Sequence, residues 1–470
     1  MLEYLLLMKQ ELMLSALIFL LLIIFLASNN LVAETLIKWI NVLLLVNFLL
    51  GFWGNSSGSL FGNMYHTNAL IVFQKNLLNF ALLIISLLSY DWLKTHRHYL
   101  EFYILMLAAL LGAFYLISSR HLLMFFLGLE LAGIPVALLA NFDLGKKRSS
   151  EAALKYIMSS AFASAMFLFG SGFIYALTGT LDFFELHQLA SGSPAFLFAF
   201  IFVLAGIGFK ISAVPFHLWT ADVYEGAPVA ATSYLSVISK GSVMFILAYL
   251  LFYVFENIIG TWRAVIILIA LFSITLGNLF ALRQQNIKRF MAFSSITQMG
   301  FVLIALAAAK LMSTSALIYF IMIYIFSNLA AFGIIAVVYN QTGSEAVNDF
   351  KGFYKKNPAL AWVFALALFS LAGIPPMAGF FGKFFLVLAV AGSVNYVILT
   401  LVALNIVLSV YYYLRIVKLM FMDAEENDRE IIFVSPLPKI ALWVCTAGTI
   451  VTGVMSGAYE YIAALVKSVW

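Results

Sequence analysis

The chain has 470 residues, of which 64% are hydrophobic and only 10% charged, with a formal net charge of +5 and a mean hydropathy of +1.04. So little polar surface cannot coat a water-soluble globule, and long Leu- and Phe-rich runs exclude a β-barrel, whose segments of about ten residues alternate apolar with polar. The single cysteine, Cys445, excludes an internal disulfide and an all-cysteine iron–sulfur site, and the six histidines form no evident haem pair.

Taking about 20 apolar residues per crossing, the chain reads as an all-α polytopic membrane protein of about fourteen helices. The predicted spans are 12–29, 36–53, 68–91, 99–119, 121–142, 151–177 and 195–219, then 228–254, 261–282, 287–309, 313–340, 358–390, 393–421 and 437–466. The first carries Glu3 and Glu11 beside Lys9 and lacks a small-residue cleavage site, so it reads as an uncleaved helix. In the third, Lys75 lies about two turns from the helix start, where its stem would let it snorkel to the interface.

In the fifth span Glu130 falls near mid-membrane, where a carboxylate must pair with a cation or stay protonated. The sixth opens Glu151-Ala152-Ala153-Leu154-Lys155-Tyr156, and its Lys155 suits either an ordinary i,i+4 pair with Glu151 or a functional site. The seventh and twelfth are each broken by proline beside a lysine: Phe209-Lys210 to Pro215-Phe216, and Gly373-Ile374-Pro375-Pro376 to Lys383. An ammonium at membrane depth is costly and marks ion pathways, and broken helices in matching halves mark a transport site. His217, just after the first break, could relay a proton or serve as a structural hydrogen-bond donor. Asp222 and Glu225 read as loop-surface residues shaping the turn. Lys240, about twelve residues into the eighth span, is too deep to snorkel. These charges point to a proton-conducting membrane subunit.

Basic residues crowd the odd-numbered gaps and their flanks: Lys38, Lys94, Arg97, Lys146, Lys147, Arg148, Arg283, Lys288, Arg289, Lys351, Lys355, Lys356, Arg415, Lys418, Arg429 and Lys439. Only Arg120, Arg263 and Lys310 oppose them. Such a bias places the odd gaps in the cytoplasm and both termini on the periplasmic or outer side of a prokaryotic plasma (inner) membrane. It also accounts for the net charge without a nucleic acid. The acidic cluster from Asp423 to Glu430 reads as a solvated cytoplasmic loop.

Because the broken helices are five positions apart, they cross in opposite directions. That predicts an inverted repeat of helices four to eight against nine to thirteen. The divisions expected are 1–98, an N-terminal three-helix segment; 99–256 and 257–421, the two five-helix repeats; and 422–470, a loop and C-terminal helix.

The Glu151 to Tyr156 run, the segment from Phe209-Lys210 through Trp219-Thr220-Ala221-Asp222-Val223-Tyr224-Glu225-Gly226-Ala227-Pro228, the run Lys288-Arg289-Phe290-Met291-Ala292-Phe293-Ser294-Ser295-Ile296, and Gly373 to Lys383 resemble the antiporter-like membrane subunits of respiratory complex I. The resemblance implies that Glu130 pairs with Lys210, that Lys240 is the central relay, that Lys383 serves the second half-channel and that Lys155 joins the path. It implies no cofactor on this chain, with NADH, FMN, iron–sulfur clusters and quinone on other subunits, and it implies other complex I membrane subunits, including antiporter-like homologues, and the lipid bilayer as partners. Many relatives carry histidine where this chain has Gln298, which can hold a water but cannot take up a proton. A cation/proton antiporter subunit and the proton module of a membrane hydrogenase share these features and stand as alternatives.

Overall fold

The computed structural model describes residues 6–27, 32–54, 57–422, 431–455 and 457–469. Glu3 and the predicted acidic loop at 423–430 lie outside the described residues. Among the described residues, twelve helices are long and apolar enough to cross a membrane. In chain order the first six are α1 (Lys9–Ala27), α2 (Ala33–Leu50), α3 (Ala69–Leu88), α4 (Tyr99–Ser118), α5 (Leu122–Ala140) and α6 (Lys147–Thr178). Next comes an interrupted helix in two pieces, α7a (Pro194–Lys210) and α7b (Leu218–Gly226). Then follow α8 (Val229–Val254), α9 (Glu256–Ala281), α10 (Ile287–Leu306) and α11 (Leu311–Thr342). A second interrupted helix, α12a (Pro358–Ala372) and α12b (Ala378–Val390), precedes α13 (Tyr396–Phe421) and α14 (Pro436–Val454). A short α15 (Gly457–Val469) closes the chain. Both interruptions stand where proline predicted them. The only described sheet is a two-stranded hairpin, β1 (Gly58–Leu60) with β2 (Tyr65–Thr67).

Helix ends follow their capping residues. The Asn68 side chain accepts from Ile71 N at the start of α3, and Asn286 accepts from Lys288 N and Arg289 N at the start of α10. Gly179 and Gly343, at φ 76° and 65°, end α6 and α11 in the left-handed conformation that glycine adopts without strain.

α3, α8, α10 and α11 are almost wholly buried, while α1, α2 and α13 turn most of their surface outward. Without water, helix pairing rests on packing, and small residues permit it. A β-carbon at Gly112 of α4 would lie 2.2 Å from Ala132 N of α5, and one at Gly128 of α5 would lie 2.6 Å from Leu116 N of α4. α9 and α10 meet in the same manner, with Gly277 against Thr297 and Gly300 against Ile274. Pairs α4–α5 and α9–α10 thus share one packing device, each helix presenting a glycine to its partner's backbone.

Candidate functional site

Both breaks expose backbone groups that need partners in a low-dielectric interior. In the first, Val214 N donates to Ser273 Oγ at 3.0 Å and the Trp219 indole donates to Phe209 O at 3.2 Å. In the second, Gly379 N donates to Ser370 Oγ at 3.1 Å, and that hydroxyl also accepts from Ser327 Oγ at 2.7 Å. The polar atoms at each break are therefore supplied partly across the break, by Trp219 and Ser370, and partly by neighbouring helices, by Ser273 of α9 and Ser327 of α11.

Lys210 is the last residue of α7a. Lys383 begins beyond its break, yet its ammonium reaches back to donate to Ala372 O, the last carbonyl of α12a, at 2.9 Å. In the sequence one lysine precedes its proline and the other follows, so they look inequivalent. In space each is tied to the interrupted end of a first half-helix, where the exposed carbonyls favour a cation.

Lys210, Lys240 and Lys383 are all buried, at most 4% exposed. Lys210 Nζ donates to Ser160 Oγ of α6 at 3.0 Å, and Lys240 Nζ to Ser295 Oγ of α10 at 2.7 Å. Lys383 adds Ser409 Oγ of α13 at 3.3 Å to its carbonyl partner. None of the three makes an ion pair among the described residues, and each instead faces an aromatic ring: Tyr156 at 5.6 Å, Tyr224 at 5.6 Å and Phe301 at 5.0 Å respectively. Immediately before Lys240, α8 widens into a π-turn over Leu235–Ser239, a distortion common at functional sites.

Glu130 does not touch Lys210, contrary to the expected pair. Its carboxylate accepts from Ser164 Oγ, one helical turn beyond the Ser160 that holds Lys210. Acid and ammonium are thus held by separate hydroxyls one turn apart on one face of α6. The Lys210 ammonium packs on Gly133 of α5, where a β-carbon would lie 2.5 Å from Nζ. Gly133→Ala is therefore expected to push the ammonium off α5 and slow proton transfer several-fold, read as the pumping rate of sealed vesicles; unchanged pumping would show that the packing on Gly133 does not set the lysine's position.

α10 links the second and third lysines. Beside Ser295, Ser294 shares a hydrogen bond with the Tyr413 hydroxyl. Gln298, one turn on, donates to that hydroxyl at 3.1 Å and to Leu371 O at 2.9 Å, the carbonyl adjoining the one that holds Lys383. The Gln298 Oε1 is buried without a protein partner, the kind of acceptor an ordered water satisfies. A glutamine here can orient a chain of donors but cannot itself be a protonated stop.

Residues 119–409 match the family model described as NADH:quinone oxidoreductase/Mrp antiporter, transmembrane. The chain belongs to that family. Among its relatives, NADH-quinone oxidoreductase subunit N of Azobacteroides pseudotrichonymphae is 44% identical over 410 residues, 86% of this chain and 85% of the relative. The subunit N of Phocaeicola vulgatus is 43% identical over 426 residues, 90% of each chain. A chain of respiratory complex I from Thermus thermophilus with bound aureothin superposes with a TM-score of 0.82 at 26% identity, covering 95% of this chain and 97% of that one.

The region matched to the antiporter family contains all six residues singled out in the sequence, but the fold does not gather them into one row. Lys155 stays at the membrane surface, between Glu151 and Asp222 at 2.6 Å each. Asp222 also holds Arg289 at 2.7 Å, and Arg289 holds Glu225 at 2.8 Å. Asp222 and Glu225, expected only to shape a turn, are thus half-buried acceptors that lock α7b to α6 and α10. His217 is buried at the start of α7b with its Nδ1 lacking a protein partner, and no hydrogen bond joins it to a lysine of the row. Ser160, Ser164, Tyr413 and Ser409 escaped sequence reasoning. Only the i,i+4 spacing of Ser160 and Ser164 in an apolar run could have signalled the first two.

Lys75 corrects a second expectation. It does not snorkel: it is 1% exposed and pairs with Glu11 of α1 at 2.5 Å, while the Tyr65 hydroxyl donates to Glu11 at 2.9 Å and accepts from Lys75 at 3.0 Å. α1 and the β-hairpin cover the position that its stem would otherwise have left for the interface. Beside this cluster, His66 and Arg120 line a cavity of about 840 Å³. Burial, with Arg120 and Lys75 adding repulsion, pushes the His66 imidazole down to about 4, so it is neutral at pH 7.

Proposed function

We propose that this chain is the proton-translocating, antiporter-like subunit N of an NADH:quinone oxidoreductase. The observation that carries the reading is the set of three buried lysines, each held by a hydroxyl, with α10 supplying Ser295 to Lys240 and Gln298 to the carbonyl beside the one that holds Lys383. An ammonium bound by a hydroxyl and no carboxylate can release its proton without leaving a buried charge behind, which suits a relay better than a structural clamp. Glu130, held by Ser164 one turn from the Ser160 that holds Lys210, is placed to control the first lysine: a shift of its charge alters the field at Lys210 without breaking a direct pair. Transfer then runs from Lys210 to Lys240, along Ser295, Ser294, Tyr413 and Gln298, and on to Lys383.

Electrons take no part on this chain. NADH, FMN, iron–sulfur clusters and quinone belong to other subunits, which supply the driving energy; moving one charge against about 100 mV requires about 2.3 kcal/mol. The matching glycine contacts of α4–α5 and α9–α10 support two inverted five-helix repeats within divisions at 1–98, 99–256, 257–421 and 422–470. The termini are placed on the outer side of a prokaryotic inner membrane by the distribution of basic residues.

Mild-detergent purification of the tagged chain tests the assignment. Flavin and iron–sulfur subunits are expected to copurify with NADH-dependent quinone reduction. Copurification with antiporter-like chains alone, with cation/proton exchange and no NADH activity, would overturn it in favour of an antiporter complex.

A further inference from the structure

Two sequence stretches that the lysine row does not use, the end of α7b and the start of α10, meet at a second buried cation. Lys288 is 3% exposed. Its ammonium donates to Glu345 Oε1 at 2.6 Å and to Ala227 O, just past the end of α7b, at 2.8 Å. It also lies 5.9 Å from the centre of the Tyr339 ring. Lys288 and Glu345 both line a cavity of about 490 Å³ enclosed by the connections that follow α5, α7b, α9 and α11. Those are the basic-rich gaps of the chain, so the cavity belongs to the proposed cytoplasmic face. The other charges facing it are Asp143, Lys146, Arg148 and Glu225; Lys146 is itself held by Asp143 at 2.7 Å and the Tyr339 hydroxyl at 2.6 Å.

Ala227, which lines the cavity, leads back through one turn of α7b to Tyr224, the ring that stands 5.6 Å from Lys240 Nζ, and Lys288 lies two turns before Ser295, the partner of that ammonium, on α10. The buried pair therefore stands between a hydrophilic cavity and the central lysine of the row. A buried ion pair is weak evidence for a stabilising role, since apolar replacements of both partners are often neutral or better. A titratable pair between a polar cavity and a buried amine is, by contrast, suited to passing protons.

We propose that Lys288 and Glu345 form the site at which protons enter from the cytoplasmic cavity on their way to Lys240. A proton from cavity water adds to the Glu345 carboxylate and frees the Lys288 ammonium. Lys288 then gives up its own proton, which moves past Tyr224 to the neutral amine of Lys240. The neutral Lys288 finally recovers a proton from the Glu345 carboxylic acid, restoring the pair with one proton moved inward. This inference rests on the proton-translocating reading above.

Lys288→Arg is the decisive variant, because it keeps the charge and the donors while a guanidinium does not release its proton. In sealed inside-out vesicles carrying the whole complex, NADH-driven proton uptake is expected to fall at least about tenfold, the scale of a lost general acid–base group. Glu345→Gln, of equal size and unable to take up a proton, is expected to behave alike, with Glu345→Asp restoring uptake; these two decide the matter if Lys288→Arg does not assemble. Normal uptake in an assembled Lys288→Arg or Glu345→Gln complex would overturn the proposal. Lys240→Met in the same vesicles separates the two failures: if it stops uptake while Lys288→Arg does not, only the intake site is wrong, and if neither stops it, the relay reading falls as well.

Discussion

Lys240→Met is expected to lower proton translocation by the assembled complex by roughly a hundredfold. The position is fully enclosed, with Ser295 Oγ as its sole hydrogen-bond partner among the described residues. Methionine fills much of the space but cannot carry a proton. The proton would then have to cross that point as a free charge, at about 3 kcal/mol on insertion scales, and each 1.36 kcal/mol costs about tenfold in rate. Ser295→Ala provides the contrast. It removes one hydrogen bond of about 1 kcal/mol and leaves the amine in place, so its effect should stay within about tenfold. Proton-to-electron ratios in vesicles measure both, and near-normal pumping by Lys240→Met would remove the central relay from the scheme.

The second large effect concerns stability. Lys75→Met strands the Glu11 carboxylate in the N-terminal three-helix segment with only the Tyr65 hydroxyl to support it, and breaking a buried pair from one side costs about 3–5 kcal/mol. Glu11→Leu together with Lys75→Met leaves no buried charge and should recover most of that loss. Thermal unfolding of the purified assembly distinguishes the three proteins. If the double variant is as unstable as the single one, Glu11 and Lys75 contribute more than the cancellation of each other's charge.

The membrane class, the helix positions, the two interruptions and the depth of Lys210, Lys240 and Lys383 were legible in the sequence, because each depends on a segment's own transfer energy and backbone chemistry. An apolar run of sufficient length must be a helix in lipid, and proline in such a run must break it. Partners were less legible. Glu11 was noted only as a charge arguing against a cleaved leader, and nothing local links it to Lys75 or to Tyr65. The direct Glu130–Lys210 contact was not found for a similar reason: Gly133 of α5 and Ser160 of α6 receive the ammonium, while Ser164 of α6 takes the carboxylate.

Lys155 and Lys383 mark the boundary between what sequence and structure decide. Both lie in predicted membrane helices, yet Lys155 remains among surface carboxylates while Lys383, in the more apolar of the two, turns back across a break to the Ala372 carbonyl. The sequence by itself determined that this chain spans a membrane many times and where its helices break, and it singled out Lys210, Lys240 and Lys383 but neither Lys75 nor Lys288 as buried ammoniums. Only the tertiary structure decided which hydroxyl holds each ammonium, that Lys383 reaches back to the end of α12a, and that Lys288 and Glu345 meet at the wall of a cavity. The physical reason is that hydropathy acts along one segment, whereas the position of a buried charge is set by the small residues through which several helices approach one another.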